Sequence, residues 1–186
     1  MDEDQPAPGL PAAVDLLVVC TGNAARSVMA GYMLEYLAEA EGCGLRVTTA
    51  GTHTLDGQPM SVRTRAGLAS IAELADAPVS RHRSRQAQAA HFADADLVVA
   101  MEADHVRWVR RHHPEAAGRT ATIRRLCRDL RPGPAPLGPR VAALGLADAV
   151  LGDDEDVADP AGRDEEVYVA CAAELWALCA ELVALL

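Results

Sequence analysis

Leu16-Leu17-Val18-Val19-Cys20-Thr21-Gly22-Asn23-Ala24-Ala25-Arg26-Ser27 is the stretch that decides the fold of this chain. Leu16 to Val19 are apolar without alternation, the pattern of a strand covered on both faces. From Val28 the apolar spacing turns helical, through Met29, Met33, Leu34 and Leu37. Between strand and helix lies a loop of small residues, with Cys20 and Arg26 at its ends and five residues separating them. A strand that runs through a tight loop into a helix N-terminus aims several backbone N–H groups at one point, which favours an anion. The same donors stabilise a thiolate at Cys20. Arg26 supplies a planar fork that grips two oxygens of a phosphate. A thiolate beside a phosphate cradle implies nucleophilic attack on phosphorus. The pair alone is a weak signal: with 5 Cys and 17 Arg in 186 residues it arises by chance about half a time. The preceding strand, Ser27, and Gly22-Asn23, residues that tolerate left-handed backbone, make the signal specific.

The length suits one domain. The chain has no lysine, which excludes a Walker-type phosphate loop and Schiff-base chemistry. The net charge of −10 is uneven: residues 60–131 carry 13 Arg against 8 acids, and residues 132–186 carry 2 Arg against 11 acids. No aromatic residues interleave with the arginines as a stacking platform requires, which argues against nucleic-acid binding. The cysteines at 20, 43, 127, 171 and 179 are odd in number and form no Cys-x2-Cys pair. Cys171 and Cys179 stand eight apart on an expected helix, about 12 Å of rise, too far to bridge. This pattern belongs to a reducing compartment. The N-terminus is acidic, unlike a secretory leader, and no stretch reads as long enough to span a membrane. The expectation is a soluble cytoplasmic protein. His91, His105, His112 and His113 have no metal-like partners in the sequence and are assigned to the surface, so no metal or cofactor is expected.

Residues 1–13 are acidic and proline-rich and are expected to be a disordered tail, with the domain over 14–186. Strands are predicted at 14–19, 45–50, 96–101 and 120–123, and helices at 27–41, 61–74, 86–92, 104–113 and 165–185. Residues 131–139 hold Pro132, Pro134, Pro136 and Pro139 and are expected to exclude regular structure, with a short helix within 141–151. Alternating strands and helices predict a single α/β doubly wound domain. Its centre is a four-stranded parallel sheet flanked by helices, with the phosphate loop after strand 1.

Val19 to Ala30 resembles the signature of the low-molecular-weight protein tyrosine phosphatases. The resemblance continues at Thr49-Ala50-Gly51-Thr52, His82-Arg83-Ser84-Arg85-Gln86, Ala95 to Glu102, and Asp156-Val157-Ala158-Asp159-Pro160. It implies that Cys20 is the nucleophile and that Arg26 binds the phosphoryl oxygens. The backbone of Thr21, Gly22, Asn23, Ala24, Ala25 and Arg26 would form the cradle, and Ser27 would hydrogen-bond the sulfur. Asp159 would be the general acid, then the base for water. A carboxylic acid facing the phosphate site meets the leaving oxygen's need for a proton, so chemistry agrees. Asp156 is the rival, because it too matches a family aspartate. Asn23, Ser27, Thr49 and His82 match polar positions that hold the loop in its strained shape. Leu55 and Tyr168 are expected to line the substrate cleft.

The chain departs from the pattern in four places. Ala25 stands where most of the family has a second cysteine, Ala24 replaces a bulkier residue, Ala161-Gly162 stand where eukaryotic members carry tyrosines, and 131–152 reads as an insertion before the acid loop. The implied substrate is a phosphorylated protein or peptide, phosphotyrosine first. Phosphoarginine is the alternative: Asp159 to Gly162 with Tyr168 resembles that branch, although Ala24 lacks its threonine. Arsenate reduction is a further alternative, in a thiol-cofactor version because residues 81–110 hold no cysteine. A catalytically silent phosphate-binding module is opposed by the intact Cys20, Arg26 and Asp159. The sequence leaves the oligomeric state open.

Overall fold

The computed structural model describes residues 13–77 and 79–186. Strand β1 (Val14–Cys20) lies between β2 (Leu45–Gly51) and β3 (Leu97–Ala100), with β4 (Thr120–Thr122) beyond β3. Every pairing is parallel, in the order β2-β1-β3-β4. The side chains of β1 alternate between two apolar layers, which explains why its sequence does not alternate. Leu16 and Val18 face one layer, packed by α1 (Arg26–Ala40), α2 (Val62–Ala69), α5 (Ile123–Asp129) and α7 (Glu165–Leu185). Leu17 and Val19 face the other, with Phe92 of α3 (Ala89–Asp94) and Val106 and Val109 of α4 (Ala103–His112). Order reverses around β1, so the crevice beyond the carboxyl ends of β1 and β3 is the natural ligand position of such a sheet.

The strand expectations hold to within a residue or so. The tail expected over 1–13 lies, Ala13 aside, outside the described residues. Ser61 caps α2, its Oγ accepting the Thr64 N–H at 3.0 Å, but the helix ends at Ala69, short of the predicted 74. Helix α5 went unpredicted: at seven residues it is too short for its period to read clearly, and its start is marked by Thr122, whose Oγ accepts the Arg125 N–H at 3.2 Å.

The expectation that no element crosses 131–139 is corrected by α6 (Leu137–Ala142). Pro139 falls in the first turn, where a missing N–H costs nothing. Arginines tie down this region through its carbonyls: Arg140 donates to Ala135 and Leu185, and Arg110 to Leu146 and Ala149. A second correction concerns α7, which by length and composition is apolar enough to cross a membrane. In the fold, Tyr168, Cys171, Ala172, Leu175, Cys179, Leu182 and Val183 are buried in the core.

Gly51 ends β2 directly beside the loop after β1. A Cβ there would sit 2.7 Å from the Thr21 carbonyl oxygen and 3.0 Å from the Asn23 nitrogen, both backbone atoms that cannot swing aside. Gly51→Ala is therefore expected to cost about 1–3 kcal/mol in urea unfolding. Phosphate binding at the loop is expected to weaken further than that loss of stability explains, because the displaced atoms are those of the loop. Wild-type stability in this variant would contradict the close approach.

Candidate active site

The loop from Thr21 to Ala25 wraps around the entrance to α1. That helix begins without a side-chain cap, its N-cap position being Ala25, so its first backbone donors stay free for a ligand. Asn23 has φ 46°, the left-handed region, and no other non-glycine described residue does. Its side chain is pinned on both atoms: Oδ1 accepts the Arg85 N–H at 3.0 Å, and Nδ2 donates to Ser27 Oγ at 3.1 Å. The His82 Nε2–H donates to the Asn23 carbonyl at 2.9 Å, and burial, more than the nearby arginines, lowers the affinity of His82 for a proton. Thr54 Oγ1 donates to the Gly22 carbonyl at 2.7 Å, and Thr64 Oγ1 to the Ala24 carbonyl at 2.9 Å. Ser27 Oγ also lies 3.0 Å from Cys20 Sγ. A serine oxygen that accepts from Asn23 keeps its own proton available to a thiolate at Cys20.

Arg26 is 2% exposed. Its Nη1 is anchored by Glu102, at the N-terminus of α4, and donates to the Val157 carbonyl at 2.9 Å. Its Nη2 meets Asp159 Oδ2 at 3.0 Å. Asp159 is 42% exposed, and its Oδ1 accepts the Ala161 N–H at 3.1 Å. Asp156 points elsewhere: its Oδ1 accepts the Ala103 N–H at 2.7 Å and so satisfies a donor at the start of α4. The loop that carries both is held from behind by Glu155, a carboxylate 1% exposed. Burial alone would push that carboxyl up, and hydrogen bonds from Arg125, Gly152 and Thr122 outweigh it and hold it below the usual range. In the sequence nothing sets Glu155 apart from its acidic neighbours Asp153, Asp154 and Asp156.

His105 corrects its assignment to the surface. It is 2% exposed on α4, with Nε2 2.9 Å from Thr21 Oγ1, while its Nδ1 has no partner among the described residues. Burial first, and the charge of Arg26 second, push its imidazole down to about 3, so the ring is neutral at ordinary pH. His113 is also drawn inward, stacked on Phe92 with centroids 4.1 Å apart. Thr49, expected in the loop-supporting network, instead packs its methyl over Gly31, and Thr54 and Thr64 do the supporting. Tyr168, expected at the cleft, is 6% exposed and packs in the core. Leu55 is 76% exposed, just after the Thr54 that bonds the loop. Burial pushes the Cys127 and Cys171 thiols up to about 12 and Cys179 higher still, which leaves them inert near neutral pH.

A family model described as low molecular weight phosphotyrosine protein phosphatase matches residues 15–132. A protein-arginine-phosphatase of Geobacillus stearothermophilus is 31% identical over 160 residues, covering 86% of this chain and 87% of that protein. A low molecular weight protein-tyrosine-phosphatase of Streptomyces coelicolor is 37% identical over 153 residues, 78% of each chain. Among solved structures, a low molecular weight protein tyrosine phosphatase from T. tengcongensis superposes with a TM-score of 0.73 at 28% identity, over 92% of this chain and 98% of that one. The arginine phosphatase of Geobacillus stearothermophilus superposes with a TM-score of 0.68 at 29% identity, over 91% and 90%.

The neutral His105 makes a pH prediction. Its folded value of about 3 lies below the ordinary 6.5, so between the two the unfolded chain binds the extra proton. The contribution of His105 to stability is whole above the upper value and shrinks as pH falls toward the lower one. Between pH 7 and pH 5, urea unfolding of the wild type is expected to lose about 2 kcal/mol more than that of His105→Gln. Equal losses would mean that the ring is charged in the fold.

Proposed function

The chain belongs to the low molecular weight phosphotyrosine protein phosphatase family of cysteine-dependent phosphatases, and we propose that it hydrolyses phosphotyrosine in proteins through a phosphocysteine on Cys20. The observation that carries this reading is the single cluster formed by Cys20, Ser27, Asn23, Arg26 and Asp159, with the sulfur at an uncapped helix N-terminus. In the first step the Cys20 thiolate attacks phosphorus and the bond to the leaving oxygen breaks. Asp159, protonated, gives that oxygen its proton. In the second step Asp159 takes a proton from water, which attacks the phosphocysteine and releases phosphate and the thiolate. Arg26 keeps Nη1 on its protein anchors and offers its Nη2 edge to the phosphoryl group, so substrate takes over the contact that Asp159 makes at rest. Backbone N–H groups of the loop meet the oxygens, whose charge builds in the transition state.

Phosphotyrosine is favoured by an apolar lip. Leu55 and Ala24 are both exposed on segments that the Thr54 bond ties together. A phenyl ring gains from that surface, whereas a guanidinium leaving group asks for acceptors. Phosphoarginine is the second reading, supported by the likeness to the Geobacillus stearothermophilus arginine phosphatase. Five free thiols support a reducing, cytoplasmic setting for either.

Parallel assays of phosphotyrosine and phosphoarginine peptides test the substrate, and faster turnover of phosphoarginine would reverse the order. Cys20→Ser is expected to abolish turnover while phosphate still binds to the backbone cradle and Arg26. Asp159→Asn keeps the shape but cannot donate a proton. It is expected to slow a phosphotyrosine peptide, with its poor leaving group, by about 100-fold or more, and an activated aryl phosphate much less. Phosphocysteine is expected to build up in this variant. Asp156→Asn is expected to act evenly on both substrates, through α4. A larger loss at Asp156, or a uniform loss at Asp159, would overturn the assignment of the acid.

A further inference from the structure

A cavity of about 370 Å³ opens beside the catalytic loop, with Thr21 in its lining. It is walled by α4 and by Thr52 and His53 at the end of β2. Trp108 forms its apolar side, meeting the His53 ring edge-on at 6.2 Å and stacked from behind by His112 at 4.7 Å. Two acids line it, and each is already matched: Glu102 pairs with Arg26, and Asp104 with Arg107 at 2.6 Å. Arg111, exposed, is the lining cation that makes no ion pair among the described residues. Among the charged side chains that line the cavity, Arg111 is thus the one left without an opposite partner.

The inner end adds a neutral donor. His105 Nε2 meets Thr21 Oγ1, and its Nδ1 is buried without a partner. An orphaned N–H is a rarer and costlier fault than an orphaned lone pair, so the proton sits on Nε2 and Nδ1 is left bare. Nε2–H then donates to the threonine oxygen, and the exposed threonine keeps its own O–H free to donate. A free hydroxyl donor at one end, a guanidinium at the other and an indole wall between them suit a short side chain that ends in a single negative charge.

We propose that this cavity is a substrate subsite for a carboxylate-bearing residue, Asp or Glu, adjoining the phosphorylated residue of the protein substrate. The proposal rests on the phosphatase reading above. Because Thr21 belongs both to the phosphate cradle and to the cavity wall, the two groups are bound side by side. Arg111 and Trp108 thereby help choose which phosphorylated sites the enzyme takes.

The test compares phosphotyrosine peptides whose neighbouring residue, before or after the phosphorylated one, is either Asp or Asn. In the wild type, kcat/KM is expected to favour the Asp peptide in one of the two positions by about three- to five-fold, the scale of one exposed ion pair. The preference is expected to fall in high salt. In Arg111→Gln the Asp-to-Asn ratio is expected to drop to about one. A wild-type ratio of one at both positions, or a preference that survives in Arg111→Gln, overturns the subsite. Failure of the wild type to hydrolyse even p-nitrophenyl phosphate would overturn the phosphatase reading and the subsite with it, whereas turnover without preference overturns the subsite alone.

Discussion

A guanidinium that cannot reach water has to be matched by the protein, or its desolvation costs several kcal/mol. Arg26 is in that position, at the first turn of α1. Its partners come from two distant segments: Glu102, beyond β3, and the Val157–Asp159 stretch in front of α7. The Val157 N–H also donates to the Met101 carbonyl at 2.8 Å, so the acid-bearing loop is stitched to the end of β3 by its backbone. The contacts that neutralise one buried charge thus set the Asp159 carboxylate against the loop 21–26. In the proposed reaction, exchanging the Asp159 contact for a phosphoryl group would leave that charge matched throughout.

The second constraint is backbone strain. A left-handed asparagine costs about 1–2 kcal/mol. A glycine would adopt the same φ freely but would lose what the side chain does. The Asn23 amide joins Arg85, in the basic connector 80–86 between α2 and α3, to Ser27 of α1, and through Ser27 it reaches the Cys20 sulfur. The connector is fixed in turn: Gln86 accepts the Thr54 N–H at 2.9 Å and donates to the Thr52 carbonyl at 2.9 Å, and the buried Ser84 donates to the Leu55 carbonyl at 2.6 Å. The basic stretch 80–86 is better understood as a brace for the loop than as a charged surface.

What could be read in the sequence was what is local. Strand, loop and helix from Leu16 to Leu37 carry their own pattern, and the family resemblance placed Asp159 and His82 on distant segments. His105 escaped because nothing near it in the chain marks it: its partner Thr21 is 84 residues away, and a histidine on an amphipathic helix with three arginines reads as surface. Tyr168 was misplaced for the opposite reason. It lies on an apolar stripe that the sequence shows plainly, and the core claimed it. Thr49 and Thr54 sit five residues apart in one polar run, and only the direction in which each side chain points tells packing from support.

The Arg26 contacts also order events in time. β1 finds β2 across a short crossover and β3 across a longer one, but the Val157 carbonyl that binds Arg26 lies 131 residues further along. Closing so large a loop is entropically slow relative to local contacts. As the chain emerges from the ribosome, the sheet has its first three strands in hand while the arginine still lacks two of its three partners, the Val157 carbonyl and Asp159. Cys20 and its loop are therefore made long before the segment that closes over Arg26, whose docking has to wait for residues 157–159.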